Sequence, residues 1–178
     1  MFNRYALLYL LVLNCCQAFG QDTNATSEAP GLKKNAVHAT LGTIGLMGAY
    51  TFSYDRNVIE FDKGVLQGIW ARAGAGGWAS WTSGGPYQSV TVGVLTGRKS
   101  SHVEFHAGAA RMFDRSAYDD EKDLRDYYAD PKPAKSEFTD IRAVGSLGYR
   151  YQKPGGHFLF RVGAGFPETA YVGLGIAF

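Results

Sequence analysis

The chain has 178 residues, 46% of them hydrophobic, with 18 Lys and Arg against 16 Asp and Glu for a formal charge of +2. That length supports one domain of ordinary size, and so small a charge with no basic run argues against a nucleic-acid partner. Glycine is abundant, at 23 residues, and many glycines fall inside alternating segments, where a narrow barrel can use small side chains to bend its wall.

Residues 1–20 read as a signal peptide. Arg4 gives a short positive start, Ala6 to Cys16 an apolar core, and Ala18-Phe19-Gly20 a small-x-small cleavage site before Gln21. The core is well short of the ~20 residues a spanning helix needs. Both cysteines, Cys15 and Cys16, lie within it, so a processed chain has no disulfide. Asn14 before Cys15 fits a lipoprotein signal poorly. Residues 21–35 are polar and read as an extended periplasmic lead-in.

From residue 36 the period is two. Val37, Ala39 and Leu41 oppose His38, Thr40 and Gly42; then Leu46, Gly48, Tyr50, Phe52 and Tyr54 oppose Met47, Ala49, Thr51, Ser53 and Asp55. Residues 57–64 are expected to turn. In 65–76 the facing is ambiguous until Arg72 is assigned to the polar side with Trp70. The aromatic and Gly-rich stretch 77–88 is expected to be a loop. Val90, Val92 and Val94 then alternate with Ser89, Thr91 and Gly93, and Val103, Phe105, Ala107 and Ala109 with His102, Glu104, His106 and Gly108. Residues 114–138, dense in Asp, Tyr, Lys and Pro, are expected to be one long irregular segment, with no helix of useful length. Three alternating segments close the chain between Ile141 and Phe178, separated by Lys153-Pro154-Gly155-Gly156 and Pro167-Glu168-Thr169.

The tally predicts an all-β fold: an eight-stranded antiparallel up-and-down transmembrane β-barrel over residues 36–178. The polar face decides between membrane and soluble barrels. A soluble barrel needs Lys, Glu and Asp outside, whereas the polar face of the last segment is Tyr171, Gly173, Gly175 and Ala177. Tyr50, Tyr54, Tyr149, Tyr151, Phe158, Phe166 and Phe178 lie on the apolar face near segment ends, as interfacial girdles require. Outer loops are expected at 43–45, 77–88, 114–138 and 167–169, and the localisation at the outer membrane of a Gram-negative bacterium, as a monomer in contact with lipid and lipopolysaccharide.

The stretches Tyr54-Asp55-Arg56-Asn57, Gly145 to Gly156 and Gly165-Phe166-Pro167-Glu168, with the terminal Phe178, resemble small outer-membrane barrel proteins of Bacteroidetes. The resemblance covers roughly residues 35–178 and brings no defined activity. In size the chain also resembles OmpA/OmpX-type barrels, at fold level alone. The resemblance implies that Phe178 is the signal read by the barrel-assembly machinery.

The chemistry-bearing residues are expected to form a lumen network: Asp55, Arg72, His102, Glu104, His106, Arg142, Arg150 and Arg161. His102, Glu104 and His106 share a face but span about 13 Å, too far for all three to ligate one ion. Glu104 is instead expected to pair with Arg142, Arg150, Arg161 or Arg72, because buried charges need partners. No metal or cofactor is expected. Gly93 to Ser100 is a near miss to a phosphate-binding loop, with Arg98 where Lys should stand and no helix after it. A lipid A-modifying enzyme would need a nucleophile such as Ser80, Ser83 or Ser89 near His106. A narrow pore would prefer anions weakly, given four lumen arginines against Asp55 and Glu104. The acidic loop residues Asp119, Asp120, Glu121, Asp123 and Asp126 are interspersed with Arg115, Lys122 and Arg125 and read as a solvated surface. The favoured function is a non-enzymatic structural or surface-interaction role with a side-chain-filled lumen.

Overall fold

A computed structural model of the chain describes residues 31–45, 47–61, 64–97, 99–128 and 130–178. The signal peptide expected at 1–20, most of the lead-in, Leu46 and Arg98 lie outside the described residues.

Among the described residues eight strands form: β1 (Asn35–Ile44), β2 (Met47–Glu60), β3 (Leu66–Ala79), β4 (Gly84–Thr96), β5 (Ser101–Phe113), β6 (Thr139–Gln152), β7 (Phe158–Phe166) and β8 (Thr169–Ala177). Each pairs antiparallel with the next, and β8 pairs with β1 from Ala36↔Ala177 to Gly42↔Tyr171, closing the barrel. Asn35 and Phe178 exchange backbone hydrogen bonds at 3.0 and 2.8 Å beside that seam. A closed antiparallel ring leaves no open sheet edge.

Alternation sets the facing in every strand. His38, Asp55, Trp70, Arg72, Tyr87, Glu104, Arg150, Arg161 and Tyr171 point inward and are buried, while Leu41, Phe52, Val90, Phe105, Leu147 and Leu174 point outward. The interior is stacked in layers. Nearest the end that carries the 114–138 connection, Ala49, Tyr87, Ala110, Met112 and Val144 pack together with Trp78 and Phe166 against them. The charged side chains occupy the middle. Toward the end that carries Asn35 and Phe178, Trp70 and Leu95 meet Leu32, and Ala36, Leu159 and Ala177 form a third cluster. Leu32 is held by the segment around it: Gly31 O accepts from Gly155 N at 3.0 Å and Lys34 O from Asn57 N at 2.7 Å.

Three connections differ from expectation. The stretch 77–88 is mostly strand, because β3 runs to Ala79 and β4 starts at Gly84. What remains is a tight turn in which Ser80 N donates to Ser83 O at 2.7 Å. Residues 57–60 continue β2 through a register shift between Asn57 and Ile59, and a bulge of this kind erases the period-two signal. The segment 114–138 is not irregular. It contains helix α1 (Arg115–Tyr127) and a short 3-10 turn (Lys135–Phe138). Asp114 caps α1, its carboxylate accepting from Ala117 N at 3.1 Å. Arg115–Asp119, Lys122–Asp126 and Glu121–Arg125 pair one turn apart along it. The bond that Arg125 donates to the Glu121 carboxylate raises the Arg125 pKa above its ordinary value. Tyr118 anchors the helix between Phe113 and Phe138, at ring distances of 5.7 and 5.6 Å.

Candidate functional site

The inward positions of seven strands converge on one ionic ring. Asp55 on β2 accepts a two-pronged bond from Arg72 on β3, Nε to Oδ1 at 2.6 Å and Nη2 to Oδ2 at 3.0 Å. Its Oδ2 also accepts from Arg150 Nη1 on β6 at 3.1 Å, and its Oδ1 lies 3.2 Å from His38 Nε2 on β1. Glu104 on β5 accepts from Arg161 on β7, Nε to Oε1 at 2.7 Å, with Arg161 Nη2 on the same oxygen. Tyr171 of β8 donates to that oxygen at 3.3 Å. Arg72 Nη2 bridges the two carboxylates, standing 3.6 Å from Glu104 Oε2.

Arg72 Nη2 also donates to His106 Nε2 at 3.1 Å. A guanidinium only donates, so Nε2 is the acceptor in this bond. Glycine at position 93 lets that ring lie against β4, since a Cβ there would come within 2.5 Å of His106 Cγ. Arg150 is held from the other side by Gln152 Oε1, at 3.0 and 2.5 Å, and lies 4.4 Å over the Trp70 ring. Asp55, Glu104 and Arg150 are 0% exposed and Arg161 2%. At this depth each charge costs several kcal/mol to desolvate, on the order quoted for buried ions, and is offset through its partner.

Three guanidinium groups thus face two carboxylates within the ring. A third carboxylate stands above. Glu168, in the β7–β8 turn, accepts from Thr51 Oγ1 at 2.9 Å and Tyr87 OH at 3.2 Å. Between it and the ring lies a cavity of about 30 Å³, lined by Arg72, Arg161, Ser53, Thr91, Ser146 and Glu168 among others.

Of the residues singled out from the sequence, Asp55, Arg72, Glu104, His106, Arg150 and Arg161 meet in this ring. His102 is buried below it, where Nδ1 lies 2.9 Å from Thr96 O and Nε2 3.4 Å from Gln152 O. Arg142 does not join it. Its side chain is 51% exposed at the far mouth and bonds Asp140 at 3.0 Å. His38, Trp70, Gln152 and Tyr171 were not singled out, although their inward parity was legible. Among the described residues no group of three or more His, Cys, Asp or Glu side chains could hold a metal ion. Ser80 and Ser83 bond each other at 3.0 Å, while His106 is engaged by Arg72 within the ring.

The outer wall has the opposite character. Phe52 and Val90 are 66% exposed, Leu174 and Ile176 58%. The outward positions of β1, β3, β4, β6, β7 and β8 carry no charge. On β2 and β5 the outward arginines, Arg56 and Arg111, stand at opposite ends of the barrel and bracket the apolar band. Fold and interior together define a closed up-and-down barrel of inverted polarity, ionic within and hydrocarbon without. Comparisons with protein-family models, curated proteins and solved structures find no match.

Proposed function

We propose that this chain is a transmembrane barrel of a Gram-negative outer membrane, with a non-enzymatic structural or surface-interaction role. The observation that carries the reading is the inverted polarity. Soluble monomers rarely leave more than a few hundred Å² of contiguous apolar surface in water. Here an apolar band encircles the barrel, while Asp55, Glu104, Arg150 and Arg161 are inside. A bilayer covers such a band at no cost to the backbone, because every strand is paired on both sides. Orientation follows from connection length: the long 114–138 segment would face outward, and Asn35 and Phe178 the periplasm.

The lumen would not conduct. The ionic ring is closed by the Tyr87–Met112–Val144 layer on one side and the Trp70–Leu95–Leu32 layer on the other. For lipid A modification, the serines at the mouth are engaged in their own turn, away from the histidine a hydrolytic mechanism would enlist. Exposed Tyr127, Tyr128 and Trp81 at the outer end favour a surface-interaction role. Lipid and lipopolysaccharide would be the contacts of the wall, and the assembly machinery the reader of Phe178.

Heat-modifiable gel migration on isolated outer membranes tests the reading. A compact band that shifts on boiling is expected. A soluble protein with no shift would overturn it.

A further inference from the structure

The ring closes over only part of β6. Strand β7 ends at Phe166, opposite Gly145, while β6 and its partner β5 run on to Thr139↔Phe113. Beyond the short β7–β8 turn, β8 meets β1 no higher than Gly42↔Tyr171. Above the ring, the outer rim therefore has a notch two strands wide, with the upper part of β6 as one side. Asp140, Ile141, Arg142 and Ala143 are all exposed there, Ile141 to 80%. Ile141 pairs with Arg111, the arginine at the outer end of the apolar band.

The notch leaves backbone groups unpaired. Asp114 N donates to Phe138 O and Gln152 N to Ser100 O, each at 2.9 Å, so the even positions of β6 turn their N–H and C=O to β5. Ile141 and Ala143 turn theirs the opposite way, into the notch, where among the described residues no backbone partner meets them. Behind this edge lies a cavity of about 340 Å³, lined by the inward Asp140 and Arg142 among others. Its polar members are engaged: Asp140 with Arg142 at 3.0 Å, Asp114 with Ala117 N at 3.1 Å, Ser80 with Ser83 at 3.0 Å, and Glu137 more loosely with Arg125 at 3.9 Å. The rest of the lining is largely apolar, with Met47, Trp78, Phe138 and Phe166.

We propose that the notch binds an extended segment of another protein, paired as an added strand on Ile141 and Ala143, with an apolar side chain turned into the cavity. The inference rests on the outer-membrane reading for its placement and names the kind of partner that the surface-interaction role requires. Strand addition satisfies the unpaired N–H and C=O groups directly, and a pocket beside the edge selects among side chains. A second copy of this chain does not fit. Inserted the same way and related by a two-fold axis, it would bring an identical edge alongside in parallel and at one height, so each N–H would meet an N–H.

The test uses the full chain folded in detergent micelles, with the heat-shifted gel band read on the same sample. The probe is a fluorescein-labelled, amidated heptapeptide of alternating threonine and leucine. Anisotropy gives its affinity and hydrogen exchange its place. The expected result is saturable binding, with exchange slowed at amides 141 and 143. Ile141→Pro deletes one unpaired donor without touching the β5 ladder and should weaken binding about tenfold. Met47→Glu puts a charge in the cavity and should also weaken it about tenfold. A peptide methylated on every backbone nitrogen should not bind. Heat-shifted protein whose amides 141 and 143 stay unprotected at millimolar peptide would overturn the site and spare the bilayer reading. Binding that survives Ile141→Pro or full methylation would do the same. Protection that grows with protein concentration in the absence of peptide would make a second copy the occupant and overturn the proposal. Protein with no heat shift that still protects both amides would keep the site and overturn the bilayer reading.

Discussion

Arg161 reaches across the lumen from β7 to Glu104 on β5, its Nε 2.7 Å from Oε1, with the carboxylate 0% exposed and the guanidinium 2%. The pair is separated by 57 residues in sequence, so it belongs to the barrel and to no local element.

Removing one partner is therefore expected to cost far more than removing both. Glu104→Gln leaves Arg161 without its counter-charge and should destabilise the fold by about 3–5 kcal/mol. The double variant Glu104→Leu/Arg161→Met should recover most of that loss, because Arg72 keeps Asp55. Denaturant unfolding in detergent micelles reads the difference. Equal losses in the single and double variants would contradict the pairing.

Trp70 fills the base of the lumen beneath Arg150, 4.4 Å from its guanidinium. Trp70→Ala removes that contact and opens a void against Leu95 and Leu32. The expected loss is about 3–5 kcal/mol, the range for truncating a buried aromatic. The same unfolding measurement checks it, and Trp70→Phe should lie much closer to the parent.

On the outer wall, Phe105 lies within the apolar band, next in sequence to the buried Glu104, and is 52% exposed. Phe105→Arg should cost about 2–4 kcal/mol if that side chain sits near a bilayer midplane. Folding titrations in lipid vesicles measure it. A neutral result would place the position in water.

The helix at the mouth should be separable from the barrel. Asp114→Ala removes the cap that holds Ala117 N and should weaken α1 by about 1 kcal/mol. Hydrogen exchange is expected to quicken at amides 117–119, while the β5 and β6 amides and the heat-shifted gel band stay unchanged.

Most of the barrel is legible in the sequence because a strand states its facing through parity. Val103-Glu104-Phe105-His106 admits one arrangement once one face is buried, and the same holds for Arg150 and Arg161. The pairing inside the ring is not legible in this way. Whether Glu104 meets Arg161 or Arg150 depends on strand tilt, which shifts the inward positions against one another around the ring. Arg142 has the parity of a lumen residue but stands too near the mouth to reach the carboxylates. Helix α1 went unread for a different reason: none of its residues is buried, so it carries no apolar stripe. Its signal was the Asp114 cap and the charges paired four apart. The 77–88 stretch misled through composition, since Gly77, Gly84 and Gly85 serve there as close-packed strand positions.

Closure of β8 on β1 has a kinetic consequence. His38 Nδ1 lies 3.2 Å from Arg161 Nη1 across 123 residues of chain, and Asp55 meets Arg150 across 95. Contacts of such separation reward the chain only after most loop-closure entropy has been spent. A half-assembled sheet would present two raw edges and a set of unmated charges at once. The interior that stabilises the finished ring therefore opposes every incomplete one, and the barrel is built to form as a single event.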